Sequence, residues 1–118
     1  MEASKEKFYK QLEEFSSLKD GWIPNGNAIY PEAIETSKMI IDKMTNLNHW
    51  RIAPYINGSI LMSYHFGWHR GCVNIAPKGV SCFMDIDNNF RKMQKTFGEN
   101  KEEVINELIE FINASWLH

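Results

Sequence analysis

The sequence predicts an α+β domain in which an antiparallel sheet is covered by helices from both ends of the chain. Apolar and polar residues alternate between Trp50 and Asp87, as they do in strands with one buried face. On either side of this stretch, apolar residues recur every three or four positions, which is typical of helices with one buried side. The 118 residues contain no linker or internal repeat, so we predict a single domain over residues 1–118.

Four extended runs make up the predicted sheet. They span residues 51–57, 59–66, 71–76 and 80–86. Asn57-Gly58 favours a type I′ hairpin turn, Pro77-Lys78-Gly79 predicts the next reversal, and residues 67–70 predict a looser hairpin. Short links force neighbouring strands to pair antiparallel, so the order predicts a four-stranded meander. Pro54 has no N–H to donate, which places the first run at a sheet edge.

Two helices are predicted before the sheet and one at the C-terminal end. They span residues 3–18, residues 31 to about 46–48, and residues 101 to about 115. Pro31 suits the first position of a helix, where its missing N–H has no partner to lose. Asn100 and Glu103 have the spacing of a capping box, in which each side chain bonds the other residue's backbone.

A further short helix is predicted between the sheet and the last helix. The cluster Asp87-Asn88-Asn89 resembles a helix cap, and Phe90, Met93 and Phe97 recur at helical spacing up to Gly98.

Composition narrows the classes of protein. The net charge is −2, from 13 Lys and Arg against 15 Asp and Glu, which argues against nucleic-acid binding. No apolar run approaches the roughly 18 residues of a membrane span, and residues 1–7 do not resemble a signal peptide. We therefore expect a cytoplasmic protein without membrane contact, in which Cys72 and Cys82 are reduced thiols.

A series of motifs follows one another along the chain. They are Leu18-x-x-Gly21-Trp22, Pro31 opening a helix, Pro54-x-x-Asn57-Gly58-Ser59-Ile60 entering a strand, and Leu108-Ile109-Glu110-Phe111-Ile112 ending the last helix. Over roughly residues 15–115 this order resembles a group of short, mostly uncharacterised bacterial and phage proteins. Residues 23–26 depart from the acidic-Gly step expected there, and Tyr64 stands where relatives tend to have Trp. The resemblance implies this fold and a small accessory or mobile-element protein, and it transfers no catalytic residue.

His65, His69 and Cys72 are the candidates for a metal-dependent or thiol-dependent enzyme, because one predicted hairpin end carries all three. Zinc accepts His nitrogen and Cys sulfur, but a structural site needs four ligands. The spacing matches no strong signature, so we favour exposed polar residues here and expect no catalytic residue, metal or cofactor.

Arg70, Arg91, Lys92 and Lys95 are the candidates for RNA or DNA contact. That alternative requires one contiguous basic face. Since the whole chain is slightly acidic, we favour a solvated surface of the predicted short helix for Arg91, Lys92 and Lys95.

The predicted outward side of the sheet mixes apolar and small polar residues. Tyr55, Leu61, Phe83 and His65 are the candidate interface residues. Either this side binds a protein or a helix covers it as a second core. We favour a non-enzymatic protein of the immunity, antitoxin or phage-inhibitor type that binds another protein or its own copy, as a homodimer.

Trp22, in a loop rich in turn formers, is expected to be largely buried and to anchor that loop.

Overall fold

The computed structural model describes the backbone of residues 2–116 and the side chains of residues 5–116. Three helices and five strands follow in the order α1 (Glu2–Ser16), α2 (Pro31–Lys43), β1 (Trp50–Pro54), β2 (Ile60–Phe66), β3 (His69–Ala76), β4 (Gly79–Ile86), β5 (Asn89–Thr96) and α3 (Lys101–Ala114). The predicted α+β class with an antiparallel sheet is confirmed. The predicted number of four strands is wrong, because the described residues form five.

The strands form a meander in the order β1-β2-β3-β4-β5, and each neighbouring pair is antiparallel. The short connections between successive strands impose this arrangement. Pro54 ends β1 at one edge of the sheet, as its missing N–H predicts, and β5 forms the other edge.

The fifth strand replaces the short helix that the spacing of Phe90, Met93 and Phe97 predicted. Asp87 and Asn88 have φ of 53° and 65°, so they form the two left-handed positions of a type I′ hairpin turn. Asx residues tolerate that conformation, and the same residue types favour helix caps. The cluster was therefore misassigned, and the chain turns back as β5 alongside β4.

Two other turns differ from their predictions. Only Gly58 of Asn57-Gly58 has positive φ, at 89°, and its N–H donates to the carbonyl oxygen of Tyr55 at 3.0 Å. This is a three-residue loop with a left-handed glycine instead of a type I′ turn. The predicted looser hairpin is a tight turn at Gly67 and Trp68, where Gly67 has φ of 61°.

Helix boundaries follow local backbone signals. α2 ends at Lys43, earlier than predicted, because Met44 adopts an extended backbone with ψ of 132°. At the start of α3, the side chain of Asn100 accepts a hydrogen bond from the Glu103 N–H at 3.1 Å, and its amide donates to the Glu103 carboxylate. The Glu103 N–H is one of the backbone donors that the first turn of a helix leaves without a partner, and the Asn100 side chain satisfies it.

A single hydrophobic core lies between the helices and one side of the sheet, which we call the inner face. Its fully buried members include Leu12 of α1, Ile41 of α2, Met62 and Val73 of the sheet, and Leu108 of α3. Strand residues of the other side alternate with these core residues and none of them is buried. Within residues 2–116, no helix is both long and apolar enough to cross a membrane.

Candidate functional site

The side of the sheet that faces away from the helices, here called the outer face, is a surface built by all five strands. Strand alternation and register place its side chains. They are Arg51, Ala53, Leu61, Ser63, His65, Arg70, Cys72, Asn74, Ala76, Ser81, Phe83, Asp85, Phe90, Lys92 and Gln94. All are half-buried or exposed, so no described helix covers this face and it is not a second core.

An apolar strip crosses the outer face and consists of Leu61, Cys72, Phe83 and Phe90. Cys72 lies opposite Phe83 on neighbouring strands, and the rings of Phe83 and Phe90 stack with centroids 5.8 Å apart and planes at 23°. The four side chains line a shallow depression of 560 Å³. An open face of an antiparallel sheet is normally polar, so an apolar strip is unusual in this position.

The outer face is positively charged, although the chain as a whole has a net charge of −2. Arg51, Arg70 and Lys92 are its basic residues, and Asp85 is its one carboxylate. The Arg70 Nε atom lies 3.6 Å from the Asp85 Oδ2 atom, which leaves Arg51 and Lys92 as the excess charge. The strip is thus flanked by cations on the strands at both edges of the sheet.

The structure places three of the four predicted interface residues on one face, and two of them, Leu61 and Phe83, belong to the apolar strip. Leu61, Phe83 and His65 lie on the outer face, and Tyr55 lies just beyond the end of β1, where it is 42% exposed. Phe90 was missed because its spacing from Met93 indicated a helix. The signal that could have identified it is the pair Asp87-Asn88, because both residue types tolerate the left-handed positions of a type I′ hairpin turn.

The metal or thiol candidates do not converge. His65 and Cys72 lie on the outer face. His69 lies on the other side of the sheet, because it pairs with Phe66, the residue after His65 on β2, and stands three residues before Cys72 on β3. The His69 Nδ1 atom accepts a hydrogen bond from the Asp87 N–H at 3.1 Å. No group of three or more potential metal ligands is found among the described residues.

The chemistry of the cysteines points away from nucleophilic catalysis. Cys72 and Cys82 are both free. Burial raises the pKa of the Cys72 thiol, with a hydrogen bond to Ser63 acting in the opposite direction. Burial, with a smaller contribution from Cys72, raises the pKa of the Cys82 thiol to about 12. The reactive form of cysteine is the thiolate, which both shifts disfavour.

The basic candidates are divided between two faces. Arg70 and Lys92 lie on the outer face, whereas Arg91 and Lys95 lie on the helix side of the edge strand β5. The Arg91 guanidinium sits over the Phe111 ring at 4.8 Å. Lys95 Nζ lies 3.1 Å from a Glu107 carboxylate oxygen. The contiguous basic face that the nucleic-acid alternative requires is therefore not formed by these four residues.

Trp22 is half-buried and packs against the edge of the hydrophobic core. Its indole N–H donates a hydrogen bond to the carbonyl oxygen of Asn27 at 2.7 Å. The ring also lies over Gly26, where an added Cβ atom would come within 3.1 Å of the indole nitrogen. These contacts hold the two ends of the 22–27 loop together.

Comparison of the chain with protein-family models, with curated proteins and with solved structures yields no match.

Proposed function

We propose that this protein is not an enzyme and acts by binding another protein through the outer face of its sheet. The observation that carries the proposal is the apolar strip on an uncovered face. A protein interface typically has an apolar centre and a polar rim. Leu61, Phe83 and Phe90 supply such a centre here, and Arg51 and Lys92 supply a charged rim.

The charge of the face favours an acidic partner. A twofold pairing through this face would bring the excess positive charge of Arg51 and Lys92 on one copy near that of the other, and like charges disfavour such a contact. An acidic protein surface would meet them with the opposite charge, which speeds association and selects the partner. A small protein that covers an acidic surface of its partner in this way suits an antitoxin, immunity or inhibitor role.

Affinity purification from the native host, followed by mass spectrometry, tests this proposal. The bait is the wild-type chain or a Leu61→Ser/Phe83→Lys double variant, which removes the centre of the strip. Because neither residue is part of the core, the variant should fold, and circular dichroism and thermal melting verify this. We expect a partner with an acidic surface that the wild type retains and the variant loses.

A charge-reversal pair provides the matched control. Arg51→Glu/Lys92→Glu changes the outer face, and Lys7→Glu/Lys10→Glu makes the same change in net charge on exposed positions of α1. The first variant should lose the partner and the second should keep it. Equal loss in both variants contradicts a specific role of the outer face, as does retention by the Leu61→Ser/Phe83→Lys bait.

Light scattering decides between a heterologous complex and self-association. A wild-type monomer at high concentration rules out the homodimer. A dimer that the Leu61→Ser/Phe83→Lys variant breaks would instead assign the outer face to a second copy. Binding of a single-stranded RNA oligonucleotide that Lys92→Glu abolishes would contradict the protein-binding proposal.

A further inference from the structure

A pocket of 440 Å³ opens at the end of the sheet, where three segments distant in sequence meet. The loop between α2 and β1, the end of β2 and the last turn of α3 form its walls. Its lining residues are Met44, Thr45, Asn46, Asn48, His49, Trp50, Tyr64, Phe66, Ile109, Ile112, Asn113 and Trp116. The volume lies in the range typical of small-molecule sites. The pocket is separate from the outer face and belongs to the helix side of the sheet.

Aromatic rings form much of the lining, and several of them stand at right angles to one another. Tyr64 is at the centre of the group. Its ring makes an edge contact with Trp116 at 5.4 Å and 89°, an edge contact with His49 at 6.3 Å and 86°, and a tilted contact with Trp50 at 5.3 Å. Phe66 stacks on His49 at 4.2 Å. Perpendicular walls enclose a compact, rounded group better than the flat ring that two parallel walls would hold.

His49 is held in an unusual backbone conformation that contributes to this wall. Its φ is 68°, a left-handed value that few residues other than glycine adopt, and its carbonyl oxygen accepts a hydrogen bond from the His65 N–H at 3.2 Å. That bond extends the β1–β2 pairing by one residue and fixes the backbone. The imidazole is thereby placed on Phe66. Strained backbone of this kind is concentrated at ligand sites.

Among the residues that the structure describes, the lining contains no Asp, Glu, Lys or Arg. A phosphate or carboxylate ligand would therefore find no basic partner, and a primary ammonium would find no carboxylate for its N–H groups. A quaternary ammonium has no N–H group to satisfy. It is attracted by the negative faces of aromatic rings, and enclosure by several rings is how proteins recognise it.

We propose that this pocket binds a trimethylammonium group, carried either by a free small molecule such as choline or by a trimethylated lysine side chain. Tyr64, Phe66 and Trp116 supply rings that enclose the cation, and Trp50, which is only 6% exposed, also lines the pocket. The amides of Asn46, Asn48 and Asn113 border the remaining volume, where they can bond the polar remainder of the ligand.

Calorimetric titration with three small probes tests the proposal at pH 8, where histidine side chains are ordinarily uncharged. Choline carries the trimethylammonium group, 3,3-dimethyl-1-butanol is its neutral isostere, and ethanolamine is its unmethylated counterpart. We expect choline to bind and the other two probes to bind at least about tenfold more weakly, because the ring faces attract charge and the lining offers no acceptor carboxylate. A trimethyllysine peptide compared with its unmodified form then identifies the source of the group. Tighter binding of the peptide than of choline indicates a protein ligand, and the reverse indicates a metabolite.

Substitutions in the wall give the second arm. Trp116→Leu should weaken choline binding by about 2- to 30-fold, the range that one cation–π contact contributes. Trp68→Leu is the matched control, since Trp68 is 94% exposed and does not line the pocket. If Trp116→Leu fails to fold by circular dichroism, Phe66→Leu replaces it, because Phe66 is 53% exposed.

Several results would overturn the proposal. Equal binding of choline and its neutral isostere would show a merely apolar pocket, and equal binding of ethanolamine would remove the role of methylation. The proposal also fails if neither choline nor the trimethyllysine peptide binds. It fails as well if Trp116→Leu and Trp68→Leu change choline binding equally.

Discussion

Replacing Met62 by alanine should destabilise the protein strongly, whereas the same change at its neighbour Leu61 should not. Met62 is fully buried on the inner face, and Leu61 is half-buried on the outer face. The pair therefore compares the two sides of the sheet at one point of β2. Both variants keep the strand's backbone hydrogen bonds, which side-chain truncation does not remove.

The expected magnitudes follow from burial. Truncating Met62 removes its three outer side-chain atoms from the core, a loss of about 2 kcal/mol in transfer free energy, and the cavity left behind brings the total to about 2–5 kcal/mol. For Leu61, whose side chain already contacts solvent, we expect about 1 kcal/mol or less. A domain of this kind has a free energy of unfolding of about 5–15 kcal/mol, so the loss expected for Met62→Ala is a large fraction of the total.

Urea unfolding followed by circular dichroism measures both values. The dependence of the unfolding free energy on urea concentration should stay the same, because the surface exposed on unfolding hardly changes. If Leu61→Ala costs as much as Met62→Ala, the outer face is a covered core and the proposed interface is wrong. If neither substitution lowers the free energy of unfolding, the burial of Met62 in the core is wrong.

Three further outcomes are expected. Gly71→Ala should lower stability by about 1–3 kcal/mol in urea unfolding, because the new methyl group would collide with the buried sulfur of Met84; an unchanged midpoint would contradict this. Trp22→Phe should cost about 1 kcal/mol by losing the N–H donor to the loop backbone, and a neutral result would show that the ring alone anchors the loop. Burial raises the pKa of Cys82 to about 12 from 9.0, so the stability that the neutral thiol contributes is complete below about pH 9 and is lost as pH rises towards 12. The free energy of unfolding in urea should therefore fall more steeply between pH 8 and about 10.5 for the wild type than for a Cys82→Ala variant. A thiol reagent should label Cys72 before Cys82 in the native protein. Equal slopes or equal labelling would contradict the raised pKa of Cys82.

Local signals in the sequence determined most of the secondary structure. Alternation located β1 to β4, although β1 ends at Pro54 instead of residue 57 and β3 begins at His69 instead of residue 71. The proline at position 31 marked the start of α2, and the Asn100–Glu103 spacing marked the start of α3. These features could be predicted because each depends on backbone geometry over a few neighbouring residues. The same period of two predicted that Leu61 and Phe83 lie on the opposite side of the sheet from the buried residues next to them in the sequence.

Only the tertiary structure decided the assignment of residues 87–96 and the composition of the surfaces. Asp87 and Asn88 suit either a helix cap or a type I′ turn, and pairing of the following residues with β4 selected the turn. That choice placed Phe90 and Lys92 on the outer face and gave it its apolar strip and its charge. The aromatic pocket depends still more on folding, because its rings are distant in sequence. The pairing of β1 with β2 sets His49 against Tyr64, and the segment after α3 sets Trp116 against the same ring. Sequence periodicity predicts which side of an element is buried, but which distant side chains then face one another is decided by how the elements pack.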